Sequence, residues 1–149
     1  MAVFGVFKNG YIMVNGVDLS DHAREISLEM TTAELPNDTH GSGNGATVVA
    51  GLEDWTITVL FLQDFAASEV DATIGGLAIG ASGGANQATT GVPIIVGGDS
   101  VAVVSTTNPR YSGNCILTTY QPFGGGGHGT LMETSCTFRP STVLTRRTT

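Results

Sequence analysis

Residues 25–31 read Glu25-Ile26-Ser27-Leu28-Glu29-Met30-Thr31, with apolar and polar side chains alternating at every step. Successive residues of a strand point to opposite sides of a sheet, so this stretch predicts a strand with one buried and one wet face. Residues 55–61, Trp55-Thr56-Ile57-Thr58-Val59-Leu60-Phe61, open with the same alternation and finish fully apolar. Working outward, residues 11–14, 93–96, 101–105, 114–120 and 131–138 supply the remaining strand candidates. In the last of these, Met132, Thr134, Cys136 and Phe138 share one face, opposite Glu133, Ser135 and Thr137. A mainly β fold follows.

One segment has a different period. Ala67, Val70, Ile74 and Leu77 recur at helical spacing, which predicts a single helix over residues 65–77 packed on the sheet through those four side chains. Asp64 stands where an N-cap is useful, and Gly75-Gly76 weakens the far end. Asn15-Gly16 is a turn signal after residues 11–14. Residues 36–46, residues 80–91 and the tail 140–149 hold almost nothing that could anchor a core. Loops that long are uncommon in compact domains unless they serve a function or are disordered. The expectation is a mobile 36–46 loop and a mobile 140–149 arm that become ordered against neighbouring subunits. Ten extended residues reach about 33 Å, far enough to touch another copy.

Composition narrows the function classes. A chain of 149 residues suits one domain spanning 1–149. Its 21 glycines have no three-residue period, which excludes collagen. Only 13% of residues are charged, too few for a coiled coil, and no apolar run approaches the ~20 residues of a membrane helix. The formal net charge of −7 makes a basic nucleic-acid surface a poor prospect. Charge is also uneven. The bases Arg110, Arg139, Arg146 and Arg147 all lie beyond residue 75, whereas most acids lie before it, so head-to-tail complementarity between copies is conceivable. The amino terminus shows no secretory signal pattern.

No chemistry-bearing constellation emerges. His22, His40 and His128 have no second ligand type at zinc spacing. Gly124-Gly125-Gly126-Gly127-His128-Gly129 satisfies GxGxxG literally, but a strand-like stretch follows where a dinucleotide site needs a helix, so a hairpin tip is expected. Cys115 and Cys136 read as small buried hydrophobes, Trp55 as a core or interface aromatic, and Glu53-Asp54 as a solvated turn. No GxSxG elbow and no P-loop lysine are present. Neither enzyme activity nor a cofactor or metal is expected.

Several blocks in order carry a resemblance. They are Val14-Asn15-Gly16-Val17-Asp18-Leu19-Ser20-Asp21-His22, Ala50-Gly51-Leu52-Glu53-Asp54-Trp55-Thr56-Ile57, and Phe61 through Asp71. Thr107-Asn108-Pro109-Arg110-Tyr111-Ser112-Gly113, Tyr120-Gln121-Pro122 and Leu144-Thr145-Arg146 complete the series. In this order the chain resembles the major tail tube subunit of long, non-contractile-tailed (siphovirus-type) bacteriophages. The resemblance implies a tail-tube-type β-sandwich or barrel with one packed helix, a long loop and an extended terminal arm. It implies six-membered rings stacked into a hollow virion tail tube, assembled in the host cytoplasm, through which genome DNA passes during ejection. Its implied partners are other copies of itself, a tape-measure protein, and tail terminator and distal tail proteins; no membrane is involved. An acidic lumen would let DNA slide without a deep binding site, and Glu25, Glu29 and Glu133 on polar strand faces are the lumen candidates. Arg146 and Arg147 are candidates for inter-ring contacts with Asp18, Asp21, Glu53 or Asp54 of the next copy. The alternatives are a head decoration or head–tail joining protein, and a carbohydrate-binding β-sandwich.

Overall fold

The computed structural model describes residues 9–40, 43, 45–78 and 90–149. Among the described residues, eight strands form one antiparallel sheet: β1 (Tyr11–Val14), β2 (Val17–Asp18), β3 (Ala23–Pro36), β4 (Val48–Leu62), β5 (Val92–Gly97), β6 (Arg110–Gln121), β7 (Glu133–Pro140) and β8 (Thr145–Arg147). Their order across the sheet is β2-β1-β5-β6-β7-β4-β3, with β8 also on β6. Side-chain alternation then decides which residues face inward. Ile12 and Val14 on β1, Val92, Ile94 and Val96 on β5, Cys136 and Phe138 on β7, and Ile57, Val59 and Phe61 on β4 all turn to one face and are buried together. The opposite face is the polar one.

The helix is shorter and later than its apolar stripe suggests. α1 covers only Val70–Ile74 and passes into a 3-10 turn at Gly75–Leu77. Val70, Ile74 and Leu77 are buried in the core, but Ala67 precedes the helix and is exposed. Two local causes stop the helix from starting earlier. Asp64 spends its Oδ1 on the Ala66 amide in a side-chain turn, and Ser68 sits at φ +67°, outside the helical region. A hydrogen bond of 2.5 Å from the Tyr120 hydroxyl to Asp71 ties α1 to β6. Burial and that carboxylate push the Tyr120 phenol up to about 12.

Two further segments depart from expectation. Residues 101–105 are a loop and not a strand, with Val101 and Val103 exposed. Asp99 accepts hydrogen bonds from the amides of Val101 and Ala102, and the buried Asn108 side chain donates to the carbonyls of Asp99 and Ala102. Those side chains offer the backbone a turn that outcompetes the valines' strand preference. The segment after Pro140 is anchored. β7 pairs Pro140 with Cys115, the chain steps outward, and β8 returns to pair with Arg110, Tyr111 and Ser112 on the same side of β6. Trp55 Nε1 donates to the Thr142 carbonyl at 3.0 Å, and Gly113 leaves room for the indole, since a Cβ there would stand 3.1 Å from its ring. Most of residues 80–91 lies outside the described residues.

Candidate assembly surfaces

The β3–β4 hairpin is paired from Ala23 opposite Phe61 out to Pro36 opposite Val48. Near the body its inward side chains, Ile26 and Leu28, pack on the core beside Ile57 and Val59. Beyond Met30 and Trp55 the two strands run on with almost every side chain exposed on both faces. The outer half is therefore a two-stranded ribbon, and it carries Met30, Leu35, Val48, Val49 and, at 86% exposure, Leu52. Its tip is stapled by the Thr47 amide to Asp38 at 2.7 Å and by the Asn37 amide to the Thr47 carbonyl at 3.2 Å. Much of the expected 36–46 loop is thus the turn of a long hairpin. Two-stranded ribbons are marginal alone in water, and this one exposes several large apolar side chains at once. From Glu25 to Glu53 the chain has five acids (Glu25, Glu29, Glu34, Asp38 and Glu53) and no Lys or Arg.

The polar face of the sheet gathers all three lumen candidates. Register places Glu25 opposite Leu60, Glu29 opposite Thr56, and Glu133 opposite Leu62, all facing away from the core. Glu133 is bound by Arg24, and Asp54 by Arg139 at 2.6 Å. Among the described residues, no ion pair reaches Glu25 or Glu29. Arg24 and Arg139 are thus matched, while Arg110 and Arg147, in register with each other, lie on the same face of the sheet toward β8.

The inter-ring candidates do not converge within one subunit. Arg146 and Arg147 are exposed on β8, with Arg147 in register beside Arg110 and Arg146 beside Tyr111. Arg110 itself lies over the Tyr11 ring, 4.0 Å from its centre, so this corner is basic. Asp18 is occupied locally by the Ser20 hydroxyl and amide, Asp21 by His22, and Asp54 by Arg139. Only Glu53, on the ribbon, is exposed and unmatched in this set.

Two features at the α1 end escape any sequence reading. Phe65 and Phe123, both exposed, lie with ring centres 6.1 Å apart, and Leu131 and Met132 are exposed on the same β6–β7 hairpin as Phe123. Beside them His22, with a side chain 17% exposed, has Nδ1 2.8 Å from Asp21 and Nε2 3.2 Å from Asp64, while Glu69 lies 3.6 Å from Nδ1. Burial of the ring opposes its charged form, but the hydrogen bonds to Asp21 and Asp64 and the charges of Asp21 and Glu69 prevail, raising its pKa above the ordinary 6.5. Asp64 is held below 3.8 by the Ala66 amide and by His22. Donor atoms of His22, Asp64 and Glu69 lie within 4.8 Å of one another, yet each ring nitrogen already faces a carboxylate, which suits a doubly protonated imidazolium. Only the Asp21-His22 adjacency was visible in the sequence; partners 42 and 47 residues away were not. Cys115 and Cys136 are buried free thiols whose pKa burial pushes to about 12, so neither is a ready nucleophile.

No family profile and no curated protein sequence matches the chain. Solved structures do. A chain in the sheath/tube terminator of an extracellular contractile injection system (PVC), in its extended state, superposes with a TM-score of 0.69 at 12% identity over 98% of both chains. The likeness is one of fold. A chain of the anti-feeding prophage baseplate gives 0.67 at 10% identity over 99% of this chain and 98% of that one. A chain of the native gene transfer agent virion gives 0.64 at 11% identity, covering 94% and 96%. The protein therefore has the fold of subunits found in phage-type tails and related injection machines, mainly β with one short helix. That fold is not confined to non-contractile tails, since a contractile system is among the matches.

Proposed function

We propose that the chain is a structural subunit of a phage-type tail, forming six-membered rings that stack into a hollow tube and conduct DNA. The observation that carries this reading is the projecting β3–β4 ribbon, whose apolar side chains have no cover among the described residues. A fold match running through whole chains of tail and baseplate assemblies supports it. The ribbon, acidic and apolar, seats on a neighbouring copy and there meets the basic corner of Arg146 and Arg147. Charge complementarity sets its register, and apolar burial supplies most of the affinity. The polar sheet face with Glu25 and Glu29 lines the lumen, where weak repulsion of phosphates keeps DNA mobile. A tape-measure protein, a tail terminator and distal tail proteins complete the assembly in the virion tail. Negative-stain microscopy of the purified chain tests this directly. Six-fold rings or stacked tubes are expected; only monomers at every concentration and salt would refute it.

A further inference from the structure

His22 joins three segments that are distant in sequence. It closes the turn between β2 and β3, Asp64 begins the link from β4 to α1, and Glu69 is the residue that caps α1. The cap makes no hydrogen bond from its own side chain, so the Glu69 carboxylate is free to face the imidazole. Among the described residues no arginine or lysine neutralises this group: Arg24, two residues beyond His22, is held by Glu133. Three carboxylates therefore face one ring, Asp21 from its own turn, Asp64 from the link and Glu69 from the start of the helix. When protonated, the ring donates from Nδ1 to Asp21 and from Nε2 to Asp64. When neutral, it keeps one N–H at most, and one of those carboxylates loses its donor while the three acids repel each other.

We propose that His22 is a proton-operated latch that holds the 63–69 link against the body and thereby fixes the exposed Phe65–Phe123 pair. The mechanical connection is short. Asp64 receives His22 on one oxygen and the Ala66 amide on the other, its carbonyl accepts the Asp71 amide at 2.9 Å, and Phe65 lies between the two residues so fixed. Release of Asp64 loosens the link and the first turn of α1 together. The sign follows from both groups. His22, raised in the folded chain, contributes stability that is complete below 6.5 and is lost as pH climbs through its folded value. Asp64, lowered, contributes stability that is complete above 3.8 and is lost as pH falls through its folded value. The latch is closed between those limits and opens on the alkaline side. It stands independently of the tail reading, because it concerns the isolated chain.

An NMR titration of the full chain from pH 5 to 9 reads the latch. The expected result is a His22 midpoint above 6.5, with loss of Phe65–Phe123 ring contacts and faster corrected exchange of the Ala66 and Asp71 amides over the same interval. Amides of β4 and β7 serve as the unmoved reference. Asp21→Asn should lower the midpoint and Glu69→Gln should do the same, with the fold intact. His22→Gln should abolish the pH response of the Ala66 and Asp71 amides. A His22 midpoint at or below 6.5, a Phe65–Phe123 contact unchanged across the titration, or midpoints unmoved in both acid variants would overturn the proposal.

Discussion

The two halves of the β3–β4 hairpin are made by the same two strands and share one ladder of hydrogen bonds, yet they obey different rules. The inner half buries Ile57 and Val59 in the core and packs the half-buried Ile26 and Leu28 against it. The outer half carries side chains just as apolar (Leu35, Val49, Leu52) into solvent. Local pattern makes a strand of either half; only the presence of a second layer decides burial. A ribbon that keeps its apolar side chains without such a layer is stable in company, and in the function proposed above that company is a second copy of the chain.

The comparison breaks most visibly in the body. Val70→Asp places an unpaired carboxylate in a fully buried position and should cost several kcal/mol, leaving an insoluble or unfolded chain. Normal thermal unfolding of that variant would show that α1 does not pack as described. Phe138→Ala, at the centre of the sheet, should remove about 3–5 kcal/mol by chemical denaturation while the chain still folds. In the ribbon the expected effect on the monomer is far smaller. Leu35→Ser with Leu52→Ser should change monomer stability by no more than about 0.5 kcal/mol, as surface substitutions do, yet abolish self-association by light scattering. A loss of stability comparable to that of Phe138→Ala would mean the ribbon belongs to the core. Smallest of all, Arg146→Glu with Arg147→Glu should leave folding intact and weaken association by about 1 kcal/mol per lost exposed pair, more at low salt than at high. Salt-independent association in both proteins would remove the electrostatic part of the ribbon contact.

The same contrast explains what the sequence made legible. Alternation, strict at residues 25–31 and present at the start of residues 55–61, revealed the sheet and its buried face, because period two has one reading when the next layer is present. Alternation stops being informative past Met30, where neither face is covered, and there the strand ran five residues further than its pattern. The helical stripe located Val70, Ile74 and Leu77, but it could not register the Asp64 side-chain turn or the positive φ of Ser68 that exclude Ala67. In the tail, pairing with β6 is made by backbone groups, and the indole of Trp55 on β4 is held by the Thr142 carbonyl; such main-chain partners leave little trace in side-chain chemistry. The lumen candidates were legible as a face, whereas the pairing of Glu133 with Arg24 crosses 109 residues and was not.

Replacing residues 33–52 with Asn-Gly tests the central claim most directly. Thr32 and Glu53 are register partners, so a two-residue turn can join them without disturbing the body. Wild-type and shortened chains would be compared by light scattering and electron microscopy at matched concentrations. The account predicts rings or tubes from the wild type, and from the shortened chain a monomer with the same unfolding midpoint. A shortened chain that still assembles into rings and tubes would contradict it.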